Sequence, residues 1–159
     1  MKRSVKLSTY STIVTAIGLI VLLACLYYCR DNWGIYAIGA LIVIACSMAL
    51  FYMPLSISVN DEDLNINRSL RIKRIPLKEI KSVELCPPTM AEHRIFGSGG
   101  WFGYWGWFTE PSMGRYFAYY GKASDCFLVE LKNGNRYLLG CEDAPVMVDH
   151  ITSRLRVFC

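Results

Sequence analysis

Two uninterrupted apolar stretches decide the architecture of this chain: residues 10–28, YSTIVTAIGLIVLLACLYY, and residues 33–52, WGIYAIGALIVIACSMALFY. Neither stretch contains Asp, Glu, Lys or Arg. An α-helix rises about 1.5 Å per residue and needs about 20 apolar residues to cross a hydrocarbon core of about 30 Å. The two stretches therefore predict two transmembrane helices.

Only Cys29 and the polar Arg30-Asp31-Asn32 separate the two predicted helices, so we expect an antiparallel hairpin that could also mediate homo-oligomer contacts. A buried helical pair in a soluble core is the alternative, but the rest of the chain is too small to cover two helices that are apolar all round. Small residues suit close helix contact, and in these segments they are Ala16, Gly18, Ala24, Gly34, Gly39, Ala40 and Ala45.

The positive charges predict the orientation. Lys2, Arg3 and Lys6 precede the first span and a basic stretch follows the second, whereas the connector carries Arg30 alone. The positive-inside rule then predicts a multi-pass inner-membrane protein with both termini in the cytoplasm. A cleaved signal sequence ending near Cys25 is the alternative. It is disfavoured because the apolar run continues past Cys25 and a second full span follows.

Charge and cysteine usage exclude some classes of function. The formal net charge of +4 comes mostly from residues before Met53, so the remainder is nearly neutral and has no nucleic-acid footprint. The seven cysteines are an odd number without close pairing in the region after Pro54. In a cytoplasmic setting this pattern predicts free thiols.

After Pro54 the hydrophobic periodicity changes from helical to alternating. Leu55, Ile57 and Val59 alternate with polar residues, as in a strand with one buried face. We predict six or seven short strands, including residues 55–59, 64–67, 80–85, 115–120, 126–131 and 136–141, with a hairpin turn at Asn133-Gly134.

The C-terminal segment predicts an amphipathic helix. Asp143 is placed to cap it, and Pro145 lies in its first turn. Apolar residues then recur at helical spacing, at Val148, Ile151, Leu155 and Phe158.

This order of elements resembles that of the bacterial pleckstrin-homology-like (PH-like) family, over most of residues 54–158. The residues that carry the likeness are Ile75-Pro76-Leu77-Lys78-Glu79-Ile80 with Val83, the run 94–108, the strand 114–120 and Glu142-Asp143-Ala144-Pro145. The resemblance implies a mainly-β PH-like domain at residues 54–159, a bent antiparallel sheet or barrel of about seven strands closed by a helix, after a transmembrane hairpin at residues 1–53.

The run 97–108, GSGGWFGYWGWF, is the most unusual segment. From Gly100 onward glycine recurs every third residue, which fits neither regular period and predicts a packed loop. Its rings could extend the core over an open edge of the sheet, which we favour, or insert among lipid headgroups. The candidate contact residues for a partner or the membrane are Arg94, Trp101, Phe102, Tyr104, Trp105, Trp107, Phe108 and Arg115.

A basic stretch follows the second predicted strand. Near an anionic leaflet each positive charge contributes about 1 kcal/mol of attraction, although a solvated strand face would carry the same residues. Lipid-binding PH domains place their basic motif at the first turn, which is acidic here, at Asp61 to Asp63. Diffuse attraction is therefore expected rather than phosphoinositide specificity. The candidate lipid contacts are Arg68, Arg71, Lys73 and Arg74.

Catalytic and metal-binding patterns are sparse. His93 and His150 are the only histidines, and no motif joins either to a nucleophile or to metal-ligand spacing. We expect no enzyme activity and no cofactor. The favoured function is a membrane-anchored interaction module that binds a protein partner or the anionic inner leaflet. The alternative is an accessory or regulatory subunit of a larger membrane complex, in transport or in the envelope.

Overall fold

A computed structural model describes residues 1–28, 33–89 and 91–156. The predicted connector at residues 30–32 and Phe158 of the predicted terminal stripe lie outside the described residues. The chain forms two N-terminal helices, followed by a mostly-β domain of two sheets with a C-terminal helix. The predicted fold class is thereby confirmed.

Helices α1 (Thr9–Tyr28) and α2 (Gly34–Tyr52) have the length and apolarity to cross a membrane, with mean hydropathies of 2.1 and 2.3. Most of their large apolar side chains are exposed, including Ile20, Leu23 and Val43. The helices contact each other, but not through the glycines. Gly18 faces Trp101 of the domain, and Gly39 faces open space, so for these two residues the predicted role in helix–helix contact is wrong.

The first sheet contains four antiparallel strands in chain order: β1 (Lys2–Ser4), β2 (Pro54–Val59), β3 (Asp63–Arg68) and β4 (Ile72–Pro76). Strand β1 was not expected from the sequence. It precedes α1, yet it pairs with β2, which directly follows α2. Residues 2–4, assigned to the hairpin from the sequence, therefore belong to the sheet, and both ends of the helical hairpin are tied to neighbouring strands.

The second sheet has the order β5-β9-β10-β8-β7-β6. Its strands are β5 (Ile80–Leu85), β6 (His93–Gly100), β7 (Gly103–Glu110), β8 (Gly114–Tyr120), β9 (Cys126–Leu131) and β10 (Arg136–Gly140). The predicted sheet was antiparallel, but β8 and β10 pair in parallel. The reason is that the β9–β10 hairpin inserts between β5 and β8, which leaves β10 beside β8.

The glycine-rich run is a β-hairpin of β6 and β7, so the predicted irregular loop is wrong. Cross-strand pairing places Gly97 opposite Gly106 and Gly100 opposite Gly103, all four with positive φ. A Cβ at Gly97 or Gly106 would collide with the backbone of the opposite strand. The threefold glycine spacing therefore arises from two glycine pairs arranged symmetrically about one turn.

Helix α3 (Ala144–Leu155) packs mainly on β5 and closes the core between the two sheets. Asp143 is its N-cap residue but makes no side-chain cap bond, contrary to expectation. Its carboxylate instead lies 3.2 Å from the guanidinium of Arg3. A smaller apolar cluster forms around Phe108, Tyr116 and Leu138.

Candidate functional site at the base of the helices

A stripe of small polar residues on α1 receives the tip of the β6–β7 hairpin. Ser11 is fully buried and Thr15 is 9% exposed, although most other residues of this helix are apolar and exposed. Thr15 Oγ1 accepts a hydrogen bond from the Phe102 N–H at 3.0 Å and donates to the Ser11 carbonyl at 2.7 Å. Thr15 therefore joins α1 to the backbone of the hairpin tip.

Trp101 at the hairpin tip lies directly against Gly18, one turn beyond Thr15. A Cβ at Gly18 would collide with the Trp101 ring, so the glycine provides the notch that the indole occupies. Gly18 is nine residues beyond Thr9, roughly 13 Å along the helix. The hairpin tip therefore contacts α1 well inside the helix, far from the N-terminal end that connects α1 to the domain.

The remaining aromatic residues of the hairpin point to two opposite faces, as the period of a strand requires. Trp105 stacks on Tyr52 at the end of α2, with ring centroids 5.2 Å apart, and its indole N–H donates to the Trp101 carbonyl at 3.1 Å. On the other face, Tyr104 stacks on Tyr120 at 4.6 Å. Phe108 is buried beside Tyr116.

The candidate contact residues are thus not one surface. Trp105 and Phe108 are core residues, Tyr104 packs on the smaller cluster, and Trp101 and Phe102 dock on α1. Two roles were considered for the rings of this run, packing on the core and insertion among lipid headgroups. Packing accounts for the buried rings, but the tip packs on α1 and not over an open edge of the sheet.

Trp107 and Arg115 form a separate pair on neighbouring strands β7 and β8. The Arg115 guanidinium lies 4.5 Å from the centroid of the Trp107 ring. Arg115 itself is exposed. The pair is a cation–π contact at an accessible position.

The basic turn between β3 and β4 returns to the end of α2. Arg71 lies 5.7 Å from the Phe51 ring centroid, and Arg68 lies within 6 Å of the centroids of Phe51, Tyr52 and Tyr119. Burial raises the pKa of Tyr119 to about 12, so its hydroxyl remains protonated beside Arg68.

The four candidate lipid contacts therefore separate into two groups. Arg68 and Arg71 lie at the helix end. Lys73 instead donates to the Tyr137 hydroxyl at 2.9 Å, inside the domain, and Arg74 lies on the outer face of the first sheet near Asn65.

Sequence reasoning missed several residues of this region. Ser8, Ser11, Thr15 and Gly18 recur at helical spacing, which was the available signal for a polar contact face on α1. Ile95 and Phe96 of β6 are 54% and 60% exposed, and Leu70 in the basic turn is 64% exposed. These three apolar side chains carry no sequence signal that separates them from core residues.

Several ionisable groups of the domain are hydrogen-bonded or buried in its core. Glu92 accepts hydrogen bonds from the hydroxyls of Tyr116 and Tyr120, and burial raises the pKa of both tyrosines. The thiols of Cys126 and Cys141 also have raised pKa values because they are buried. Within residues 1–28, 33–89 and 91–156, no group of three His, Cys, Asp or Glu side chains could hold a metal ion.

Comparison with known proteins identifies the domain. Residues 55–155 match the sequence profile of the family described as bacterial PH domain. Comparisons with curated proteins and with solved structures found no match. The matched residues span strands β2 to β10 and helix α3, and they cover well over half of the chain. The chain therefore belongs to the bacterial PH domain family.

Proposed function

We propose that the protein is a non-enzymatic interaction module anchored in the inner membrane, whose PH domain lies against the anionic cytoplasmic leaflet. The observation that carries the proposal is the position of Arg68 and Arg71 at the ring of Phe51, the penultimate residue of α2. At the end of a spanning helix, a guanidinium can reach lipid phosphates while its stem remains on apolar surface.

The charge distribution along the first sheet supports this orientation. Strand β2 leaves α2 at Pro54 and runs six residues, roughly 20 Å, away from the helix end. The far turn carries Asp61, Glu62 and Asp63, whereas the near turn carries Arg68 and Arg71. An anionic leaflet attracts the near turn and repels the far one.

The exposed apolar residue Leu70 provides the test of this contact. An environment-sensitive dye at L70C in the full chain would be compared in nanodiscs of phosphatidylcholine with and without phosphatidylglycerol. We expect a blue shift that grows with phosphatidylglycerol and is reduced in R71Q, because Arg71 is exposed and faces the surface. K78Q is the matched control, since Lys78 lies beside Glu62 at the far end. Water-like emission in both lipids would contradict the proposal.

A protein partner is the second candidate ligand, and the exposed Arg115–Trp107 pair favours it, because Arg and Trp are enriched where interfaces gain most of their energy. A photo-crosslinking amino acid at Arg115, in native membranes, should capture one stoichiometric protein, and the same probe at Lys132 should not. Equal background from both positions would count against a partner on this face.

A further inference from the structure

A groove runs between the two helices and the β6–β7 hairpin. Its inner part, about 440 Å³, is lined by Gly18, Val21, Leu22, Ala45 and Trp101. Its outer part, about 490 Å³, also borders Ala45 and Trp101 and continues to Met48, Phe96 and Arg94. Ala45 and Trp101 border both parts, so the two parts are adjacent.

The two ends of the groove differ in chemistry. The inner part is bordered only by apolar side chains and a glycine. In the outer part the side chain of Arg94 makes no hydrogen bond or ion pair with any other residue that the structure describes, and it is exposed. The groove is therefore apolar at one end and cationic at the other.

The depth of the groove matches this difference. Ala45 lies seven residues before the end of α2 at Tyr52, roughly 10 Å inside the helix end. Arg94 folds back along β6, so that a Cβ at Gly99 would lie 3.0 Å from its Nη1 atom. The guanidinium thus stands beside Gly99, two residues before Trp101, where it borders the outer part of the groove.

We propose that this groove binds one phospholipid of the inner leaflet, with an acyl chain along Gly18, Ala45 and Trp101 and the phosphate on Arg94. A cation without a protein partner complements a phosphate, and an apolar channel at this depth complements an acyl chain. The proposal relies on the bilayer placement proposed above, but it uses none of the residues of the β3–β4 turn.

Native mass spectrometry of the full chain, released from nanodiscs of phosphatidylcholine and phosphatidylglycerol, tests the site. We expect one retained phospholipid on the wild type. A45F fills the groove and should lower the retained fraction about tenfold, equivalent to about 1.4 kcal/mol. A40F adds the same ring at an exposed position of α2 and should retain lipid at the wild-type level.

The contribution of the Arg94 charge is tested with a separate pair of variants. R94Q should lower lipid retention several-fold, and K132Q, at an exposed turn in the domain, should not. Retention by A45F equal to that of A40F, or by R94Q equal to that of K132Q, would overturn the proposal. So would a dimer mass that A45F abolishes, because a second copy would then be the occupant. If A45F fails to fold by circular dichroism, R94Q decides, because Arg94 is exposed. The L70C dye response of these variants reports the leaflet contact independently.

Discussion

At the residue scale, the hydroxyl of Thr15 joins an apolar helix to a β-hairpin. In the sequence Thr15 is only a polar residue within a hydrophobic segment, and its partner Phe102 lies in the turn between β6 and β7. The backbone N–H of Phe102 has no ladder partner at the tip of its hairpin, and Thr15 Oγ1 supplies one. The sequence could not predict this bond, because its two members are 87 residues apart.

Replacing Thr15 by Val keeps the shape of the side chain and removes the hydrogen bond. Because the Phe102 N–H then remains buried without a partner, we expect a loss of about 1–3 kcal/mol in the free energy of unfolding. Thermal unfolding of the full chain in detergent measures the effect. T12V is the matched control: Thr12 Oγ1 donates only to the carbonyl of Ser8, the residue before α1, and Thr12 is exposed. Equal losses from the two variants would contradict the role of Thr15.

Glu142 links the N-terminal strand to the start of α3 and gives a pH-dependent contact. Hydrogen bonds from the Lys6 ammonium and the Ser4 hydroxyl lower the pKa of Glu142 below its ordinary value of 4.5. A carboxyl whose pKa is lower in the folded state stabilises the fold above its unfolded pKa, and this stabilisation disappears as the pH falls through the folded value.

Wild type should therefore unfold at a slightly higher temperature than E142Q near neutral pH. This difference in unfolding temperature should disappear as the pH falls below 4.5. The effect is small, because the pair is solvent-accessible. Thermal unfolding across this pH range measures it, with E84Q as the control, since Glu84 is exposed. A difference that widens on acidification would refute the assignment.

At the element scale, the β6–β7 hairpin shows which strands the sequence pattern could not predict. Strands β2, β3 and β9 have alternating apolar residues, and they were predicted together with β5, β8 and β10. Strands β6 and β7 were not predicted, because five glycines interrupt the alternation, and only the cross-strand pairing of four of them explains the threefold spacing. Strand β1 was also missed. Its three residues carry no pattern of their own, and they become a strand only because β2 offers an open edge.

The glycine pair across the hairpin can be tested by substitution. Gly106 has φ of 125° and no room for a Cβ beside the backbone of Phe96, so G106A should cost more than about 1 kcal/mol in the free energy of unfolding. Gly134 also has positive φ, at 83°, but a Cβ there meets no atom within 4 Å. G134A is therefore the control for backbone strain alone, and thermal unfolding compares the two. An equal loss would show that the close approach of the strands is unimportant.

At the scale of the whole molecule, the helices and the PH domain are one packed structure. Strands β1 and β2 hold the two ends of the helical hairpin, and the β6–β7 tip docks on α1. The family match covers only the domain. The two apolar helices beside it are consistent with membrane association, and the positive residues flanking them predict the cytoplasmic side.

The orientation predicts a definite labelling pattern in intact cells. A cysteine at Asn133, in an exposed turn of the domain, should react with a membrane-impermeant maleimide only after the cells are permeabilised. The variant is made in a background whose native cysteines are serine. Labelling of intact cells would place the domain outside and reverse the proposed topology.

The central claim is that the domain lies against the leaflet as proposed, which puts the hairpin tip docked on α1 inside the bilayer and leaves the distant turn at Asn133 in water. Spin labels at F102C and N133C, in the full chain reconstituted in liposomes, measure this most directly through collisions with oxygen and with a water-soluble nickel chelate. We expect the label at position 102 to be accessible to oxygen and protected from nickel, and the label at position 133 to show the reverse. Free access of nickel to position 102 in a folded protein would contradict the account.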